Sequence, residues 1–349
     1  MPVMAHHSVS SSWRALSRAC GLGLVLLLLG ACGGGDQLNP STDTPVVGTG
    51  PGGSSAPTDS TIIPTDSLSG DTVGVSGLTG SLPGIVFAAV HLPTTLLNSV
   101  YTGTQVAGEV SPSNAVTILS ATRAKGGRLF IKLCMGRDDF VKNADGTFSF
   151  TKWKALVDRY RTVGLGPYIT DGTIVGHFMI DEPQRAAKWG GKIIPQTTLE
   201  AMAKYSKSIW PGMTTFVRVV PSWLASASIT YTYLDAGWLQ YAAGKGDVAK
   251  LLAAEITAAK SKGLGLAVGL NVLDGGNGSS GIRGTSSGKY AMSASEIRSY
   301  GSALLNESYS CAYNMWEYDA TYFGRSDIKS AFADMSLKAR AHAKTSCRQ

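Results

Sequence analysis

From about residue 81 onward the chain alternates short β-branched and apolar runs with longer stretches in which apolar positions recur every three or four residues. That change of period predicts parallel strands joined by crossover helices. Seven strands are legible, over residues 85–91, 129–135, 174–181, 215–220, 234–241, 264–273 and 312–317. Helices are expected over 113–125, 151–163, 198–209, 247–262, 294–305 and 327–343. Thr197 stands three residues before Glu200 and Ser293 three before Glu296, the spacing of a capping box. Pro211-Gly212 and Gly263 stop the third and fourth of these helices.

The repeats fill residues 81–349 with no internal Gly/Ser/Pro linker. A single α/β domain of that length is expected to close as a (β/α)8-type TIM barrel, here with an irregular or missing eighth unit. An open doubly wound sheet is the alternative, but it normally carries a Gly-rich nucleotide turn after an early strand, and none is present. In a parallel barrel the site forms at the C-terminal ends of the strands. Those ends are polar and aromatic: His91 after the first strand; Arg137, Asp138 and Asp139 after the second; Asp181 and Glu182 after the third. Trp223 follows the fourth, Gln240 and Tyr241 end the fifth, Asn271 and Asp274 belong to the sixth, and Trp316, Glu317 and Asp319 to the seventh. One polar strand end is commonly a helix cap; their recurrence on one face points to a site.

The first 80 residues read differently. Arg14 and Arg18 precede an apolar run from Leu22 to Leu29 that leads through Gly30 and Ala31 into Cys32. The run is shorter than the roughly 20 apolar residues that span a bilayer. Leu29-Gly30-Ala31-Cys32 resembles a bacterial lipobox, so residues 1–32 are read as a lipoprotein signal peptide. The resemblance implies cleavage before Cys32, lipid attachment there, and an exported protein anchored in the cell envelope, at the outer membrane or cell surface. Residues 33–80 hold no Lys, Arg or aromatic residue, and their Gly/Ser/Thr/Pro/Asp composition predicts a disordered tether.

The chain carries 31 Lys and Arg against 24 Asp and Glu. Two arginines fall in the signal and five aspartates (Asp36, Asp43, Asp59, Asp66, Asp71) in the tether, leaving 29 basic and 19 acidic residues on the barrel. A balance near +10 could suit anionic polymers or lipid headgroups, yet no basic run interleaved with aromatics occurs, so a solvated surface and no nucleic-acid partner are expected. Of five cysteines, Cys20 lies in the signal and Cys32 at the lipid site, leaving Cys134, Cys311 and Cys347. Export permits a disulfide between Cys311 and Cys347, tying the last strand to the C-terminal segment; two separate thiols are the equal alternative.

Met179-Ile180-Asp181-Glu182-Pro183 and Asn314-Met315-Trp316-Glu317-Tyr318-Asp319 each place a carboxylate where a buried strand emerges, a setting able to raise a pKa and prepare a general acid. Glycoside cleavage needs two such carboxyls, one to protonate the leaving oxygen and one to act as nucleophile or base. Glu182-Pro183 and Trp316-Glu317 resemble parts of the TIM-barrel glycoside hydrolases, particularly the clan with two catalytic glutamates on separate strands. That resemblance implies Glu182 as acid/base and Glu317 as nucleophile or second carboxylate. The sequence departs from the clan: Asp181 stands where an asparagine usually precedes the acid/base, Glu182 follows the third legible strand rather than the fourth, and Glu317 has no eighth strand after it. Asp181-Glu182 also resembles the Asp-Glu pair of barrel hexosaminidases, where the aspartate orients a substrate acetamido group. Alternatively, Asp181 or Glu182 caps the turn into Gln184.

Aromatic rings suit the C–H faces of sugars, and Trp223 and Trp316 are the candidate platforms, with Trp153 and Trp210 at helical packing positions. Gln240 and Tyr241 interrupt a strand that should be apolar and are expected to reach ligand, with His91, Asp138 and Asn271 as further binding residues. Gly284-Thr285-Ser286-Ser287-Gly288 matches G-x-S-x-G, but it lies in a Gly/Ser-rich loop with no strand before it to form a nucleophile elbow, and reads as a mobile rim over the mouth. His91, His177 and His342 sit at no zinc-hydrolase spacing and no phosphate loop occurs, so neither metal nor cofactor is expected. The sequence thus predicts a monomeric envelope lipoprotein acting on a poly- or oligosaccharide, against a non-catalytic glycan-binding lipoprotein or a structural envelope protein.

Overall fold

The computed structural model describes residues 83–343 and 347–348. The expected signal segment with Cys32 and the tether lie outside the described residues. Eight parallel strands close in chain order: β1 Phe87–Val90, β2 Gly103–Val106, β3 Arg128–Ile131, β4 Ile174–Asp181, β5 Thr215–Arg218, β6 Ala236–Tyr241, β7 Gly265–Leu270 and β8 Ser310–Met315. β1 pairs with both β2 and β8, so the sheet has no open edge. Around it run α1 Ala115–Ala124, α2 Phe150–Asp158, α3 Gly166–Thr170, α4 Gln196–Ile209, α5 Pro221–Ala225, α6 Val248–Ser261, α7 Ala294–Leu305, α8 Ala320–Gly324 and α9 Ser326–Arg340.

The TIM barrel is therefore complete, and the expectation of a missing eighth unit is corrected: the strand unseen in the sequence is β2. Its four residues, Gly-Thr-Gln-Val, form no apolar run because its two polar side chains, one on each face of the sheet, are satisfied by partners on β1 and β8. The Thr104 hydroxyl donates to the Ala89 carbonyl at 3.0 Å, and the Asn314 amide donates to Gln105 Oε1 at 2.8 Å. The irregularity lies in the first unit, where only the 3-10 turn Thr94–Leu96 stands between β1 and β2. Counting β2, Glu182 follows the fourth strand and Glu317 the eighth.

The capping box forms at Ser293 and Glu296, each side chain accepting from the other's backbone N–H. The one expected at Thr197 does not: α4 starts at Gln196 after Pro195. Glu200 instead accepts the backbone N–H groups of Thr232, Tyr233 and Leu234 at 2.8, 2.9 and 3.0 Å, steering the chain toward β6. A carboxylate that fills three orphan donors is worth more here than one that closes a helix end.

Inside the barrel, small residues (Ala88, Ala236, Ala267, Ala312) leave room for Phe130, Phe178, Phe216 and Trp238. Phe130 meets Phe216 edge to face at 5.1 Å, and Phe178 meets Trp238 at 6.0 Å. These rings plug the interior below the mouth. At the opposite end, the Ile85 N–H donates to the Ala339 carbonyl at 3.0 Å and Arg128 donates to the Gly84 carbonyl at 3.2 Å. There Cys311 and Cys347 form a disulfide with Cα atoms 5.0 Å apart, so the paired alternative is the one realised. Any Cβ on Gly265, at the start of β7, would run into the Cys347 carbonyl, which shows how closely the C-terminal segment covers this face.

Candidate active site

Among the described residues, three other than glycine adopt left-handed backbone: His91 at φ 59°, Met135 at φ 69° and Glu182 at φ 48°. All three lie just beyond the C-terminal ends of barrel strands, β1, β3 and β4. Such conformations cost on the order of 1–3 kcal/mol each and persist where surrounding structure holds them. The strain gathers around a cavity of about 710 Å³ at the mouth, where His91 and Glu182 are part of the lining.

On the β3–β6 side the wall is a chain of ion pairs. Lys132, on the strand continuation after Ile131, reaches Asp138 at 2.8 Å; Asp138 also takes Lys188 at 2.8 Å. Lys188 continues to Asp181 at 2.5 Å. Arg218, the last residue of β5, grips Asp181 through Nε and, at 3.0 Å, through a terminal nitrogen. The Arg218 side chain is only 9% exposed and that of Asp181 14%, so this pair works with little solvent screening. The guanidinium also lies 4.5 Å above the Trp316 ring. Burial works against the Asp138 carboxylate, but Lys132 and Lys188 outweigh it and hold its carboxyl below the usual range.

Glu182 stands at the end of this chain with cations on three sides: Arg185 at 2.7 Å, Arg218 at 3.3 Å and Lys188 at 3.9 Å. Its position is fixed from behind, since its N–H donates to the Arg218 carbonyl at 3.1 Å and its carbonyl accepts the indole N–H of buried Trp189 at 3.0 Å. Gln240 adds an amide oxygen 3.4 Å from Arg218.

The other side is built from β8, β1 and the β7 loop. Glu317 follows β8 through a cis peptide bond from Trp316. Burial raises its carboxyl above the ordinary value; His91 and Arg218 pull the other way and Asp274 pushes it up again. Asn271 bridges to Trp316 and accepts the Asp274 N–H at 3.1 Å. Asp274 in turn holds the Gly/Ser-rich loop, accepting from Ser286 N–H at 3.0 Å and from the Ser286 and Thr285 hydroxyls at 2.7 Å each. Glu296 pins the loop's start through the Asn277 N–H at 2.7 Å. Both carboxylates tie the rim loop to the elements that flank it.

No family model matches the sequence, and no curated protein matches it. Solved structures do resemble it. A β-glucanase from Saccharophagus degradans in complex with cellotetraose superposes with a TM-score of 0.53 at 10% identity, over 74% of this chain and 88% of that one. A family 5 mannosidase from Rhizomucor miehei gives 0.47 at 8% identity, over 76% and 96%. A family 18 chitinase from Pseudoalteromonas aurantia gives 0.46 at 11% identity, over 72% and 99%. What the chain shares with the β-glucanase is its fold.

Of the strand-end residues singled out in the sequence, His91, Asp138, Asp181, Glu182, Gln240, Asn271, Asp274 and Trp316 line one cavity, with Glu317 bonded to Trp316 beside it. Tyr241 and Trp223 are placed elsewhere. The Tyr241 hydroxyl donates to the Gly246 carbonyl at 2.5 Å and its ring packs 4.9 Å from Tyr300, outside the barrel, because alternate strand residues face opposite ways. Trp223 is half buried on α5 against the outer core. Lys132, Arg218, Lys188 and Glu109 escaped the sequence reading. The first two carried a signal: each is a lone charge in an apolar strand run, Leu-Phe-Ile-Lys-Leu and Thr-Phe-Val-Arg-Val-Val. Among the described residues, no group of three His, Cys, Asp or Glu side chains is placed to hold a metal ion.

Proposed function

We propose that the barrel is a glycoside hydrolase acting on a poly- or oligosaccharide, with Glu317 and Glu182 as its two carboxyls in exchanged roles. The observation that carries this reading is the contrast in their surroundings. Desolvation raises Glu317 and suits it to donate a proton to a leaving oxygen. Three cations gather on Glu182, which suits an anion that attacks the anomeric carbon or stabilises its developing charge. Asp181 is committed to Arg218 and Lys188, and so supports Glu182 rather than orienting an acetamido group. Trp316 would stack a sugar ring, and Asn271 and Gln240 would bond its hydroxyls. The cellotetraose held by the β-glucanase neighbour supports an oligosaccharide ligand.

The test is a release assay over a panel of neutral and acidic polysaccharides, paired with calorimetry on their oligosaccharides. Reducing-end release from at least one is expected. Binding without release would replace the enzyme with a glycan-binding protein, and neither would leave a structural envelope protein.

The lipobox reading makes the mature protein an envelope lipoprotein anchored through Cys32. Cys32→Ser is expected to abolish incorporation of labelled palmitate in the native host; undiminished incorporation in the variant sinks the anchor.

A further inference from the structure

Apart from the ion pairs around β3–β6, one line of titratable side chains crosses the mouth. β1 pairs with β2 on one side and β8 on the other, so the segments leaving these three strands are neighbours. They deliver Glu109, His91 and Glu317. Glu109 Oε1 lies 2.9 Å from His91 Nδ1, and its Oε2 accepts the Ala107 N–H at 2.7 Å, so both carboxylate oxygens are engaged. On the far side of the ring, His91 Nε2 lies 4.0 Å from Glu317 Oε2. The imidazole is thus fixed between two carboxyls, on a left-handed backbone uncommon outside glycine.

We propose that Glu109 and His91 are a charge-setting pair for Glu317, holding an imidazolium beside the carboxyl that the preceding reading makes the proton donor. They are positioning residues: neither touches a reacting atom. The hydrogen bond that His91 donates to Glu109 keeps the imidazole above its ordinary value against the pull of burial, with the charges of Glu109 and Glu317 adding and that of Lys132 opposing. Glu109 is carried down to about 2, first by that same hydrogen bond. The groups facing Glu317 are His91, Arg218 and Asp274. Of these, Arg218 is tied to Asp181 and Asp274 to the rim loop, which leaves His91 as the neighbour whose charge changes near neutral pH. Without the imidazolium, a carboxyl already raised by burial would move further up and hold its proton where the reaction must take it away.

The experiment is an NMR titration on the whole protein, which needs no substrate. The His91 ring nitrogens are followed in wild type, Glu109→Gln and Glu317→Gln, and the Glu317 side-chain carboxyl carbon in wild type and His91→Asn. Gln at 109 still accepts the Ala107 N–H, and Asn tolerates left-handed backbone, so both folds are preserved. Glu109→Gln should bring the His91 midpoint from above 6.5 down to that value or below. A unit charge about 4 Å away through a largely aqueous path shifts a midpoint by about half a pH unit or more. Accordingly, Glu317→Gln should lower His91 by that amount, and His91→Asn should raise Glu317 by the same. An unmoved Glu317 in His91→Asn overturns the proposal, as does an unmoved His91 in Glu317→Gln. With a cleavable glycoside in hand, His91→Asn should also carry one limb of the kcat/KM profile upward: the high-pH limb if Glu317 gives a proton, the low-pH limb if it attacks. Limbs that stay put overturn the pairing too, whereas cleavage of no glycoside at all defeats the hydrolase reading and leaves the titrations to decide the pair.

Discussion

Glu317→Gln is expected to lower hydrolysis of glycosides with poor leaving groups by a factor of about 10²–10⁴, while activated aryl glycosides lose far less. Glutamine keeps the shape and hydrogen bonding of the carboxyl but has no proton to give, and an aryl leaving group scarcely needs one. Glu182→Gln is expected to depress both substrate classes alike, because an amide cannot attack the anomeric carbon and does not balance the charge that grows there. It also removes the anion that Arg185, Arg218 and Lys188 now share. Ligand affinity by calorimetry should change little in Glu317→Gln. If the leaving-group dependence appears in the Glu182 variant instead, the roles return to those first suggested by the sequence. Equal turnover by both variants and wild type would remove the paired-carboxyl mechanism.

The second large effect belongs to Arg218. Its guanidinium holds Asp181, reaches Glu182 and packs over Trp316, all with a side chain 9% exposed. Arg218→Met keeps the stem but leaves Asp181 with Lys188 as its remaining cation, and removing one partner of a buried pair destabilises by about 3–5 kcal/mol. Chemical denaturation of wild type and variant measures this. Arg218→Lys restores charge without the two-pronged geometry and should recover only part of the loss. Asp181→Asn combined with Arg218→Met should be less unstable than the two single changes summed, since the uncompensated carboxylate is then gone. A loss below about 1 kcal/mol in Arg218→Met would show the pair to be effectively screened, like exposed ion pairs.

The barrel was legible because seven of its strands bury apolar faces on helices, and hydrophobic periodicity records burial. β2 was not, since Thr104 on the outer face and Gln105 on the inner one find partners on β1 and β8 that no local pattern can reveal. The same limit governs the site. Strand-end residues could be picked out by type, and eight of them do share a cavity, but type alone does not say which way a side chain points. Gln240 lines the cavity and its neighbour Tyr241 cannot, a consequence of the pleat. The electrostatics were hidden more deeply: Glu182 looked like an acid at the end of an apolar strand until Arg218, thirty-six positions on, and Lys188 came to rest against it. Glu109 had no mark at all, being one polar residue in a loop after a strand that was itself unseen.

The covering of the barrel's N-terminal face has a consequence for access. The described chain enters beside Ala339 and leaves beside Gly265, so both of its ends sit at the strand starts, the full height of the barrel away from Glu317. A bead or a fusion partner joined directly at residue 83 or residue 348 would meet the barrel from behind. A long polymer could then be drawn across the mouth from either direction without the attachment standing in its path, and immobilisation directly at either of these two positions should leave turnover of large and small substrates in the same ratio.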